Sequence, residues 1–288
     1  MSILTDTIRK QFKEGDDIRD AGLTTPDTVQ RFDNILYGDD PEWNTMDLYI
    51  PKEEKEKLPI MISFHGGGWV YGDKERYQYY CMSLAERGFA VINFTYRLAP
   101  EFKHPAPLED MNQVAHWVMN HAKDYFLDTE HIYGVGDSAG AHLLTLYASI
   151  LTNKEYASTY SFKAPEGFHF NALALNCGAY NITPESELTG ALMKEYMPQG
   201  GLEEEYKEID PKQYITSDFP PCFVMTAEGD FLLEDALTMS QVLTHHNVPH
   251  MYKYYVGDQP LNHVFHCNIR LKEATQCNDE ECAFFKTY

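Results

Sequence analysis

The chain has 288 residues, 43% hydrophobic and 23% charged, values that exclude a disordered or fibrous protein and fit one large α/β domain or two small ones. Its 23 basic and 44 acidic residues leave a formal charge of −21, a field that repels nucleic acid and anionic lipid and disfavours strongly anionic substrates. No apolar stretch approaches the ~20 residues needed to cross a bilayer, and Met1 to Lys10 lack an apolar core of signal-peptide length, so no membrane association and a cytoplasmic location are expected.

Residues 1–40 are polar and amphipathic, with Ile3, Leu4, Ile8 and Phe12 at helical spacing. Met46 to Ile50 alternates like a half-buried strand and stops at Pro51, and Lys52 to Lys57 reads as a solvated charged turn. Strand-like and helix-like segments then alternate. Strands are expected at Ile60–Phe64, Phe89–Phe94, His131–Val135, Phe170–Asn176, Cys222–Ala227 and Met251–Val256. Helices are expected at Glu75–Arg87 with Gly88 as C-cap, at Glu109–His121 and at Ala139–Leu151. This alternation predicts a central, mostly parallel sheet with helices on both faces, in a single domain. Residues 181–216 break the rhythm and read as an insertion at the carboxyl edge of the sheet. With residues 1–40 they are expected to form a lid.

Gly136-Asp137-Ser138-Ala139-Gly140 is a G-x-S-x-G pattern placed after a predicted strand and before a predicted helix, the context of a nucleophile elbow. A serine hydroxyl needs a base to remove its proton, and the elbow lifts Ser138 into reach of one. The glycine spacing here is not G-x-G-x-x-G, and no acidic residue closes a second strand, so a dinucleotide site is rejected and no cofactor is expected. His65-Gly66-Gly67-Gly68 follows the run ending at Phe64. Side-chain-free residues let backbone amides approach an oxyanion closely, and Gly66, Gly67 and Ala139 are the expected donors.

The chain order Ser, acid, His of this fold class removes every histidine before Ser138 from the role of base. His142 is expected to pack beneath the elbow. His263 and His266 follow the last strand, and His263 is preferred. Asp230 follows the strand Cys222–Ala227 and is preferred as the orienting acid over Glu228, Glu234 and Asp235, since α/β sheets put their chemistry at the carboxyl ends of strands. Asp137 is read as support for the elbow. The six cysteines, Cys81, Cys177, Cys222, Cys267, Cys277 and Cys282, include no C-x-x-C pair and are expected as buried thiols.

His65-Gly66-Gly67-Gly68-Trp69, Tyr96-Arg97-Leu98-Ala99-Pro100-Glu101, Gly136 to Gly140, the loop with Asp230 and the segment His263-Val264-Phe265 together resemble the hormone-sensitive-lipase-like esterase family of α/β-hydrolases. The resemblance spans roughly residues 44–270. It implies the α/β-hydrolase fold, a lid and metal-independent ester hydrolysis. Two positions depart from the family pattern: Phe231-Leu232 stands where a proline-leucine pair follows the acid, and Val264 stands where a glycine follows the histidine. The expected function is a serine carboxylesterase acting on neutral short-chain or aromatic acyl esters. The alternatives are a carbohydrate ester deacylase and, from another class, a non-catalytic binding protein on a hydrolase scaffold. The partner expected is a small-molecule ester, and the sequence is compatible with a homodimer.

Overall fold

A computed structural model describes residues 2–53 and 56–288, with only the backbone of Leu188. In chain order its elements are α1 (Ile3–Asp20), β1 (Val29–Leu36), β2 (Thr45–Pro51), β3 (Leu58–Phe64), α2 (Lys74–Ala85), β4 (Ala90–Phe94), α3 (Ala106–His121), β5 (Leu127–Asp137), α4 (Ala139–Thr152), α5 (Lys154–Ala157), β6 (Ala172–Asn176), α6 (Glu187–Tyr196), α7 (Glu203–Glu208), β7 (Cys222–Ala227), α8 (Leu233–His245), β8 (His250–Tyr255) and α9 (Lys272–Phe285). The described strands form one sheet in the order β1-β2-β4-β3-β5-β6-β7-β8. β1 and β2 pair antiparallel, as do β2 and β4, and all later neighbours run parallel. Glu54 and Lys55, within the turn expected at Lys52 to Lys57, lie outside the described residues.

Alternation along β3 shows why the sheet needs cover on both faces. Ile60, Ile62 and Phe64 enter one core with Met111 and Val114 of α3 and Leu144 of α4. Met61 enters the other, with Cys81 and Leu84 of α2 and Cys277 and Phe285 of α9. Successive side chains of a strand point to opposite faces, so strands covered on both sides read as continuous apolar runs. That pattern made β3, β4, β6 and β7 visible in the sequence.

Besides the short helices α5, α6 and α7, β1 and α9 were not visible. β1, Val-Gln-Arg-Phe-Asp-Asn-Ile-Leu, is a largely solvated edge strand and merges by composition with the polar stretch before it. α9 buries a stripe of Ala274, Cys277, Glu281, Cys282 and Phe285, in which one residue is charged and three are small. Local signals bound α2, where Gly88 was expected as C-cap. Asp73 caps α2 by accepting from the Arg76 amide, and Gly88 follows at φ +95°. Among the described residues no helix is long and apolar enough to cross a membrane, and all six cysteines are buried free thiols.

Candidate active site

Ser138 sits between the last residue of β5 and the first of α4, at φ 53° and ψ −122°. A side chain rarely adopts this conformation, and it persists only where the surroundings over-determine it. Three backbone bonds do so here. The Ser138 amide donates to the Asn176 carbonyl of β6 at 3.1 Å, and the Ser138 carbonyl accepts from the amides of His142 and Ala179 at 3.2 Å each. Gly140 makes the turn sterically possible, because a Cβ there would collide with the Phe64 and His65 carbonyls. The close approach ties the end of β3, and the glycine run that follows it, to the first turn of α4.

That run carries a correction. Gly66 was expected to offer its amide, but its N–H donates to the Tyr77 hydroxyl at 2.9 Å, and that hydroxyl in turn donates to Asp137 Oδ2 at 2.8 Å. The bond is buried, so the Gly66 amide is committed within the protein. Gly67 and Gly68, at φ +119° and +62°, line the cavity with Ser138 and Ala139. Among the described residues the amides of Gly67, Gly68 and Ala139 have no acceptor. Asp137 thus supports the elbow through Tyr77, and burial pushes its carboxyl up to about 7 despite the tyrosine donor.

Asp230 lies in the turn after β7 and His263 in the loop after β8. A parallel bridge between Gly229 and Asn262 sets these loops side by side, and the Gly229 amide donates to the Leu261 carbonyl at 2.9 Å. His263 Nδ1 donates to Asp230 Oδ1 at 2.7 Å. The Leu232 amide donates to the same oxygen at 2.9 Å, and the Thr226 hydroxyl donates to Oδ2 at 2.8 Å. Burial raises the Asp230 carboxyl, but the His263 bond and charge with these two donors overcome it and hold the group down at about 2. The acid is therefore ionised at neutral pH and fixes the proton of His263 on Nδ1, leaving Nε2 as the acceptor.

The rivals are employed elsewhere. Glu228 Oε1 accepts from the Gly257 and Leu261 amides at 3.3 and 3.1 Å. Asp235 Oδ1 accepts from the Tyr180 and Asn181 amides at 2.6 Å each, and Glu234 is exposed in the first turn of α8. His266 is fully buried, and burial pushes its imidazole down to about 3. His142 packs under the elbow with Nε2 donating to the Ile209 carbonyl at 2.8 Å and Nδ1 accepting from the Trp69 indole at 3.2 Å. Val264 stands at φ +54°, in the left-handed region that glycine enters without strain, which gives a physical sense to the glycine of the resemblance. Among the described residues two triplets, the buried Asp137-His266-Cys267 and the partly exposed Cys177-Asp230-His263, hold their donor atoms within 4.8 Å. Burial raises the Cys267 and Cys177 thiols, which keeps them protonated and poor ligands, and the second triplet contains the Asp230–His263 bond itself.

Ser138, His263, Gly67, Gly68 and Ala139 share one cavity of about 620 Å³. Its walls are mostly apolar: Leu4, Ile8 and Phe12 of α1, Trp69 and Tyr71, Leu192 of α6, and Phe231, Leu232 and Val264. The polar side chains of Thr7, Gln11, Asp16, Arg19 and Thr189 also reach it; Asp16 and Arg19 pair with each other at 2.8 Å, and Asp16 accepts from the Tyr71 hydroxyl at 2.7 Å. Tyr77, Gly68 and Phe231 are the site residues that sequence reasoning did not select. Gly68 lay within a recognised motif. Tyr77 carried no local signal, because its partners are 11 and 60 residues away.

A family profile described as BD-FAE matches residues 46–245. The chain belongs to the BD-FAE family. Its sheet, helices and elbow are those of an α/β-hydrolase, and this BD-FAE member is a hormone-sensitive-lipase-like carboxylic ester hydrolase. It is 29% identical over 227 residues to a versiconal hemiacetal acetate esterase of Dothistroma septosporum, covering 73% of this chain and 68% of that one. It is also 29% identical over 234 residues to an acetyl esterase of Salmonella schwarzengrund, covering 74% and 67%. Among solved structures, esterase B of Lactobacillus rhamnosis superposes with a TM-score of 0.90 at 26% identity, covering 98% of this chain and 93% of that one. A Pyrobaculum calidifontis esterase superposes at 0.78 and 26% identity, covering 100% and 93%.

Proposed function

We propose that this BD-FAE member is a serine carboxylesterase for neutral esters with short or aromatic acyl groups, working through an acyl-enzyme. The observation that carries the reading is the 2.7 Å His263–Asp230 bond in the wall of the cavity into which the strained Ser138 turn projects. His263 Nε2 takes the Ser138 hydroxyl proton as Oγ bonds to the ester carbonyl carbon. The carbonyl oxygen gains negative charge, which the amides of Gly67, Gly68 and Ala139 and the N-terminus of α4 receive. The carbon–oxygen bond to the alcohol then breaks, and His263 returns its proton to the leaving oxygen. Water enters, His263 deprotonates it, and the acid leaves with Ser138 restored. Asp230 stays ionised throughout and balances the transient imidazolium.

The largely apolar lining supports neutral substrates over charged ones. The acetate named for two relatives supports a small acyl group. Carbohydrate esters have less support, because polar side chains are a minority of the lining and two of them, Asp16 and Arg19, pair with each other. We read α1 and residues 181–216 as the lid, since Leu4, Ile8, Phe12 and Leu192 close one side of the cavity. Six free thiols support a reducing, cytoplasmic location.

Hydrolysis of p-nitrophenyl acetate and butyrate by wild type and Ser138→Ala tests the reading. The variant should lose about four orders of magnitude or more in kcat, with labelling by a fluorophosphonate probe abolished. Wild-type rates in Ser138→Ala would end it, and a wild-type protein that neither turns over nor labels would favour the binding-protein alternative.

A further inference from the structure

Phe231 is a large apolar side chain left 62% exposed, in a fold that buries most of its aromatic residues. Its ring lies 4.3 Å from the His263 imidazole, centroid to centroid, at a tilt of 43°, and it lines the cavity beside Leu232 and Val264. The backbone that carries it is held on both sides by the acid. Leu232 N–H donates to Asp230 Oδ1 at 2.9 Å, and Leu233 N–H donates to the Asp230 carbonyl at 3.2 Å. The turn that fixes the acid therefore fixes the ring against the base.

Resting on the serine-esterase reading above, we propose that Phe231 is the specificity-determining residue for the alcohol half of the ester and selects alcohols that carry an aromatic ring. The argument starts from the chemistry of the base. His263 must hand its proton to the leaving oxygen, so in any productive pose that oxygen is within hydrogen-bond reach of the imidazole. The group attached to the oxygen then lies in the immediate surroundings of His263, whatever the acyl half does. The ring in contact with that imidazole is Phe231, and its exposed surface is free for an offset or edge-on contact with a second ring. Because the turn is held in advance, little ordering is needed on binding. The contact exists only until the alcohol leaves, so it acts on acylation and not on hydrolysis of the acyl-enzyme.

The test uses methyl, cyclohexylmethyl and benzyl acetates, which share one acyl group, with wild type, Phe231→Ala, Phe231→Tyr and Ser138→Ala. Variant-to-wild-type ratios cancel the intrinsic reactivity of each ester. Phe231→Ala should lower kcat/KM about tenfold for benzyl acetate, about threefold for cyclohexylmethyl acetate and less than about twofold for methyl acetate. Phe231→Tyr, which keeps the ring, should restore the benzyl value, and hydrolysis of the common acetyl-enzyme should not change. Equal losses for all three esters, or a shift of the pH–rate profile without discrimination between alcohols, would mean that the ring merely shields the His263–Asp230 pair and would overturn the proposal. Activity surviving in Ser138→Ala would instead bring down the serine reading, and the proposal with it.

Discussion

The floor and the roof of the cavity are held by different forces. The floor is built from backbone. Ser138 is pinned through the Asn176 carbonyl and the His142 and Ala179 amides, Gly140 packs against the carbonyls that end β3, and the Asp137–Tyr77–Gly66 chain is buried. The roof is pinned largely by charges. Arg9 of α1 donates to the Val70 and Ala99 carbonyls at 2.8 and 3.0 Å and pairs with Glu101 at 2.7 Å. Arg76 holds Asp17 at 2.6 Å, and Arg270 reaches the Arg19 and Ala21 carbonyls at the end of α1. Lys103 donates to the Glu195 and Met197 carbonyls at 3.0 Å each and so closes the end of α6. Groups that must keep sub-ångström geometry for chemistry sit where bonds are desolvated, while the cover sits where water and salt can compete.

The sharpest way to break this contrast is Tyr77→Phe. It strands the Gly66 amide and a buried Asp137 carboxyl, so unfolding in urea should show a loss of about 1–3 kcal/mol, together with a fall in kcat as the glycine run loses its anchor. A neutral result would mean that the floor does not depend on this chain of bonds. A second handle is pH. Burial pushes the carboxyls of Asp137 and Glu281 each up to about 7, against ordinary values near 4 in an unfolded chain. Between about pH 4 and 7 these two carboxyls hold protons that the unfolded chain has lost, so their contribution falls as pH rises. The imidazoles of His65, His104, His142 and His266, pushed down by burial to about 4, 3, 4 and 3, act in the opposite sense and cost stability as pH falls below about 6.5. Asp230, held at about 2, works in the same sense as these imidazoles and gives up its contribution as pH falls from about 4 towards 2. Thermal melts from pH 3 to 8 should show stability lost on the acid side of neutrality as the buried imidazoles oppose protonation, with Asp137→Asn removing an opposing carboxyl and steepening the fall between about pH 6.5 and 4. The smallest effect belongs to the roof. Arg9→Ala removes contacts whose charged partners are partly exposed and should cost about 1 kcal/mol or less. KM should rise while kcat stays within about twofold, a change that added salt reproduces in wild type because it screens the same pairs. A kcat collapse in that variant would place the roof in the chemistry.

Legibility in the sequence followed the same division. Ser138 and Asp230 could be singled out because each follows an apolar strand, and His263 because it lies after the last strand; the structure sets His263 and Asp230 2.7 Å apart. The glycine run was recognised, but not that the Gly66 amide is taken up by the Tyr77 hydroxyl, whose arrival from a helix no spacing rule announces. The roof was legible only as an interruption. α6 and α7 lie in a stretch whose organising residue is Glu205, a buried carboxylate that gathers the Gln199, Gly201 and Leu202 amides at 2.8, 2.9 and 2.9 Å. In sequence it is one glutamate in an apparent surface run. Tyr96 to Glu101, one of the segments that carry the resemblance, divides its labour. The Tyr96 hydroxyl donates to the His65 carbonyl at 2.7 Å beneath the floor, while Glu101 faces the roof and receives Arg9.

The buried thiols give the protein a built-in stopwatch. Every cysteine is enclosed, and burial pushes each thiol above its ordinary range. A disulfide reagent therefore finds little thiolate to attack while the native packing holds. Cys277 and Cys282 of α9 are buried in the core that also holds Phe223 and Met225 of β7, so their rates of capture time the separation of the terminal helix from the sheet.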